Sequence, residues 1–165
     1  MQKTSENDIA CDIIFLVRPV FDTSALVSAL RSSEGASAEL IRLAVAQRLV
    51  FLLDYKLLCE YRDVTLRLEQ LREMGRSGEE VEAVICMIEA IAEGVSVRFK
   101  HRPLSTDAND DLVLDVAING QANVIVTHNF RHFSRVAASF GIETLTPREF
   151  LARWYQREVG NAKGE

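Results

Sequence analysis

The stretch Arg18-Pro19-Val20-Phe21-Asp22-Thr23-Ser24-Ala25-Leu26-Val27 decides the fold. Its β-friendly opening runs into a lone carboxylate, and a small hydroxyl pair then starts an apolar helix. Desolvating a carboxylate among hydrophobic neighbours is expensive without a partner. In an open α/β fold, however, the carboxyl end of a strand is where ligands bind. Asp22 therefore reads either as a site acid or as a plain N-cap of the helix that follows.

Working outward, helix and strand signals alternate. Ile13 to Phe21 carries the first strand, and Ser24 to Arg31 and Ser37 to Arg48 read as helices parted by Ser32, Ser33 and Gly35. Val50 to Leu53 is wholly apolar, the pattern of a strand covered on both faces. Asp54 caps a long helix to Met74 that Gly75 ends, and Ser77 to Glu80 has the spacing of a capping box that starts a helix to Glu93. Ser96 to Phe99 reads as a brief strand. Ser105 or Asp107 caps a helix that stops at Gly120, and the β-branched run Asn123 to Thr127 is the clearest strand. A helix from Phe130 to Ser139 and a strand from Ile142 to Leu145 follow. Thr146-Pro147-Arg148-Glu149 then opens a final helix, with Pro at its first position. Strands alternating with helices predict an α/β fold, a three-layer α/β/α sandwich around a central, mostly parallel sheet. The domain is expected over 13–155, with a polar extension at 1–12 and a flexible tail at 156–165.

At 165 residues, 48% hydrophobic and 26% charged, the chain has the makeup of a globular domain with a sizeable core. A net charge of -5 argues against a generally basic nucleic-acid coat. Basic residues do gather late, at Lys100, Arg102, Arg131, Arg135, Arg148, Arg153 and Arg157. Cys11, Cys59 and Cys86 are odd in number and lack metal-type spacing, so they read as reduced side chains of a cytoplasmic protein. Ile13 to Val17 is too short to span a bilayer, so no membrane association is expected.

Helical geometry singles out two further acids. At about 100° per residue, Leu57, Tyr61, Val64, Leu68 and Leu71 share a face, and Glu60 falls at its edge, pointed towards the sheet. A salt-bridged border residue is the other reading of Glu60. In the helix around Asn109 to Ile118, Asp110 sits one turn from Val113 and Leu114 and faces inward, whereas Asp111 and Asp115 are expected to be solvated. An acid in a first turn is also favoured by the helix dipole alone. Should Asp22, Glu60 and Asp110 converge, their repulsion would draw in a proton or a cation. Oxygen-only donors select a hard ion such as Mg²⁺ or Mn²⁺, and such ions serve phosphodiester hydrolysis.

The order and context of these segments resemble the PIN-domain family of metal-dependent nucleases, which includes VapC-type toxins of toxin–antitoxin pairs. The matching pieces are Val20 to Ser28, Leu57 to Tyr61, Asp107 to Asp111 with Ala117, Val124 to Asn129, and Gly141 through Leu151. The resemblance implies a five-stranded parallel sheet and an acidic pocket that cuts RNA. It implies Asp22, Glu60 and Asp110 as catalytic and metal-binding acids for Mg²⁺ or Mn²⁺, with Ser24 holding Asp22 in place. Asn129 stands where many relatives carry an aspartate, and His132 where some carry a compensating acid.

Other readings stay open beside these. His128 and His132 have the i, i+4 spacing of zinc ligands, but the glutamate of that motif is replaced by Asn129. With Arg131 and Arg135, the two histidines are also candidates for RNA phosphate contacts at the pocket rim, or plain surface residues. A phosphatase with an aspartate nucleophile would need a second aspartate where Ser24 stands. Tyr55, Tyr61, Trp154 and Tyr155 read better as core or interface residues than as base-stacking platforms. The expected function is an endoribonuclease held by a cognate antitoxin, with the faces of Leu26, Leu30, Leu40 and Leu43 offered to the antitoxin or to a homodimer partner. The alternative is a catalytically silent module that binds RNA or a protein.

Overall fold

A computed structural model describes residues 17–100 and 108–161. Its sheet has five parallel strands: β1 (Pro19–Phe21), β2 (Leu52–Leu53), β3 (Glu93–Gly94), β4 (Val124–Val126) and β5 (Glu143–Leu145), in the order β3-β2-β1-β4-β5. The central strands are short apolar runs because both faces are covered: Val20, Leu52, Ile125 and Val126 are fully buried. Pro19 is tolerated in the central strand because it is the first residue, where a missing N–H costs least. Connections leave β1 towards one edge and β4 towards the other. Right-handed crossovers therefore place helices on both faces.

On one side α1 (Thr23–Arg31) packs on α2 (Ala36–Val45), which meets α5 (Gly78–Ile91) and α8 (Pro147–Asn161). On the other, α6 (Ala108–Asn119) lies against β1, β2 and β4 and touches α7 (Phe130–Ser139). Between them α3 (Tyr55–Thr65) contacts α1, α5 and α6, and the short α4 (Leu68–Met74) follows it. The chain is thus the expected α/β sandwich around a parallel sheet.

Several local expectations change. The long helix after Asp54 is two, broken where Arg67 turns extended (φ -61°, ψ 137°). No Gly or Pro signals this. Thr65, buried at the end of α3, donates its hydroxyl back to the Tyr61 carbonyl at 2.6 Å, a bond that competes with helix continuation. Leu68 consequently leaves the apolar face and is 62% exposed. The third strand is Glu93–Gly94 rather than Ser96 to Phe99. Glu93 and Val95 donate to the Phe51 and Leu53 carbonyls, while the Arg18 guanidinium pairs with the Glu93 carboxylate. The Asn119 side chain takes up the N–H groups of Arg98 and Phe99 in place of a ladder. Gly75, at φ 62°, does end its helix as expected.

The Leu26, Leu30, Leu40 and Leu43 faces are not offered to a partner. All are buried, turned into the core where α1 and α2 meet. Tyr61 is a core residue, but Tyr55 and Tyr155 are exposed, the latter donating to Glu39 at 2.8 Å. α8 continues to Asn161, past the residue at which the sequence reading ends the domain. The expected strand residues Ile13 to Leu16, the 1–12 extension and the caps Ser105 and Asp107 lie outside the described residues. Among the described residues no helix is long and apolar enough to cross a membrane.

Candidate functional site

β1 sits between β2 and β4, so the chain departs in opposite directions from β1 and β4. Their carboxyl ends form the switch point where open α/β sheets bind ligands. Asp22 follows β1 and Thr127 follows β4, placing both at that point. A cleft of ≈ 590 Å³ opens there, lined by Asp22, Ser24, Glu60, Asp110, Asn129 and His132 among others. Three acids from three separate elements therefore share one concavity.

Asp22 occupies the N-cap position of α1, yet its side chain makes no cap bond. Its backbone serves the fold instead: the N–H donates to the Val126 carbonyl, and the carbonyl accepts from Ala25. The carboxylate, only 6% exposed, accepts at Oδ2 from the hydroxyls of Ser24 (2.5 Å) and Thr127 (2.6 Å). The capping explanation of this acid is thereby set aside. Ser24 accepts in turn from the His128 N–H at 3.0 Å, and Thr127 from the Asn129 N–H at 2.8 Å. The turn after β4 is tied to the first turn of α1 through this relay.

The other two acids are also held by side chains of neighbouring elements. Thr23 donates its hydroxyl to Glu60 Oε1 at 2.8 Å. His132 Nδ1 lies 3.1 Å from Asp110 Oδ2. Below them the Tyr61 hydroxyl donates to the Phe21 carbonyl, joining α3 to the strand that presents Asp22. Burial, with the nearby charge of Asp22 and then Glu60, pushes the Tyr61 phenol well above its ordinary value, so it stays a neutral donor.

Asp111 and Asp115 depart from expectation. Both are buried rather than solvated, on a helix that packs against the sheet, α3 and α7. Inward facing therefore does not separate Asp110 from Asp111. Cleft position does: Asp110 lines the cavity and Asp111 does not. Arg131 is exposed and outside the cleft lining, whereas His128, Asn129 and His132 are inside it. Thr23 and Thr127 were not singled out from sequence. Their signal was available only as hydroxyls flanking a strand end, which every helix start and turn also carries.

Carboxylate and amide oxygens make a donor set that suits a hard divalent cation. Among the described residues, no three His, Cys, Asp or Glu side chains stand close enough to form a finished metal cage. One oxygen of each acid is turned to its hydroxyl or imidazole donor. The residues fit such an ion in the chemistry of their donors, and they line one cleft.

Comparison with known proteins agrees with this geometry. No curated protein matches the chain. The sequence model of the PIN domain matches residues 18–131, most of the chain and a span within which the three acids fall. The chain belongs to the PIN-domain family, whose members are in general nucleases.

Proposed function

We propose that the protein is a divalent-metal-dependent endoribonuclease, acting as the toxin of a toxin–antitoxin pair. The observation that carries this reading is the opening of Asp22, Glu60 and Asp110, from β1's end, α3 and α6, onto one cleft at the switch point. Mutual repulsion among them is relieved by a cation, for which Mg²⁺ or Mn²⁺ is the match to oxygen donors. Asp22, locked by Ser24 and Thr127, is the rigid anchor of the ion. Glu60 and Asp110 would complete its shell and orient the attacking water. Held there, the cation supplies positive charge to the phosphate oxygens and acidifies a water. Ser24 and Asn129, which line the cleft, would border the scissile phosphate. Arg131, exposed beyond the cleft, is retained only as a contact to RNA outside it.

The toxin assignment and its antitoxin partner rest on the order and spacing of the motifs described above. A homodimer would have to use a surface other than the α1–α2 leucine faces.

Two observations favour the alternative of a silent RNA- or protein-binding module. Asn129 contributes no charge where relatives have an acid, and the three acids are not gathered into a cage among the described residues.

Incubating the protein with a mixed pool of single-stranded RNA, with and without Mn²⁺, beside Asp22→Asn, tests the reading. Cleavage that needs both the ion and Asp22 is expected. Binding of the pool without cleavage under any ion would favour the silent module.

A further inference from the structure

The cleft does not end at the acids. α1 has a buried face, carrying Ala25, Leu26 and Leu30, and a cleft face carrying Ser24, Val27, Ser28 and Arg31. These four follow i, i+3, i+4, i+7 spacing, so they form one stripe along the helix. At 1.5 Å per residue, Arg31 lies about 10 Å along the axis from Ser24. Gln70 of α4 lines the cavity beside it.

We propose that Arg31 is the anchor for an RNA phosphate remote from the cleavage point, so that the strand runs from the acids along the α1 stripe. This inference rests on the nuclease reading above for its substrate. Among the described residues that line the cleft, Arg31 is the sole lysine or arginine. A cavity headed by three carboxylates repels a polyanion, and a cation at its far end offsets that repulsion without competing with the acids. The small side chain of Ser28, on the stripe between Ser24 and Arg31, leaves room for a backbone to lie between the two ends.

The guanidinium is poised but not committed. Its Nη2 donates to Gln70 Oε1 at 3.0 Å and also pairs with the Glu73 carboxylate. The Arg31 and Glu73 side chains are 44% and 57% exposed, so the pair is water-screened and weak. Exchanging Glu73 for a phosphate costs little, and the guanidinium fork accommodates two phosphate oxygens at once. Glu73 thus acts as the occupant that RNA displaces.

Fluorescence anisotropy of a short labelled single-stranded RNA, with EDTA present so that nothing is cut, tests this independently of cleavage. Arg31→Ala is expected to weaken binding roughly tenfold, and to make the plot of log affinity against log salt shallower by about 0.7. Arg31→Lys is expected to fall between the two. Glu73→Gln is expected to tighten binding, because it removes the competitor. A merely structural ion pair predicts that Arg31→Ala and Glu73→Gln act alike. That result, or binding unchanged in Arg31→Ala, overturns the proposal. Absence of metal-dependent cleavage by the wild-type protein, measured alongside, overturns the nuclease reading instead and leaves the anisotropy pattern to decide on Arg31.

Discussion

Thr127 donates its hydroxyl to Asp22 Oδ2 at 2.6 Å, linking residues 105 apart in sequence across the β1–β4 boundary. Both side chains are buried, and both stand immediately beyond their strands. The parallel register, with Phe21 opposite Val126, makes this contact a consequence of strand pairing. Aligning the two strands brings the hydroxyl to the acid without help from any loop.

Thr127→Val removes the donor while keeping the shape. It deprives Asp22 of one of its two hydroxyls and leaves the Asn129 N–H without its acceptor. A stability loss of about 1–2 kcal/mol is expected by urea denaturation, with a drop in Mn²⁺ affinity of about tenfold by calorimetry. Thr127→Ser should recover most of the affinity. A valine variant with undiminished affinity would show that Ser24 alone positions Asp22.

Tyr61→Phe acts one layer below. The phenol is buried, and its loss leaves the Phe21 carbonyl, next to Asp22, without that donor. A cost of roughly 1–2 kcal/mol is expected in thermal or chemical unfolding. Because burial holds the phenol well above its ordinary value, the difference from wild type should be unchanged between neutral and mildly alkaline pH.

Gly120 follows the last residue of α6, where the sequence expects the helix to stop. The sequence marks it as a helix terminator, but its backbone does not need positive φ; what it lacks is room. A Cβ there would lie 2.8 Å from the Val116 carbonyl oxygen and from Leu52 Cδ1. Gly120→Ala should cost about 2–3 kcal/mol, since the backbone oxygen cannot yield easily. Gly94→Ala, with nothing within 4 Å of its new methyl, should stay within about 0.5 kcal/mol of wild type.

The cap of α8 carries a pH dependence. The Thr146 N–H and then its hydroxyl hold the Glu149 carboxyl below its ordinary value of 4.5. A depressed carboxyl stabilises the fold above the unfolded value, and that contribution fades as pH falls through the folded value. Glu149 is almost fully solvated, so the effect is small. Glu149→Gln should lose about 0.5 kcal/mol at neutral pH, and the gap from wild type should close in acid.

Most of the sheet, and the three acids that line the cleft, were legible because both leave local marks. An apolar run between turn residues declares a strand covered on both faces, and the lone acid after Phe21 declares a strand end. Glu60 was visible from its angle to Tyr61 and Val64 on α3. The break at Arg67 was not legible, since it depends on a hydroxyl bonding back within its own helix. Nor was the burial of Asp111 and Asp115, because periodicity assumes one solvated face and α6 contacts the sheet, α3 and α7. Hydroxyl anchors such as Thr23 and Thr127 are set by pairing between distant segments, which spacing along one segment cannot report. Arg31 escaped for a similar reason: its partners Gln70 and Glu73 lie on another helix.

The central claim is that Asp22, Glu60 and Asp110 act together as one cation site. A calorimetric Mn²⁺ titration of the wild-type protein, Asp22→Asn, Glu60→Gln and Asp110→Asn, with the exposed Glu69→Gln as control, tests it most directly. The account predicts saturable binding by the wild type and the control, and a loss of about tenfold or more in each of the other three. Binding that is equal in all five proteins, or absent from the wild type, would contradict it.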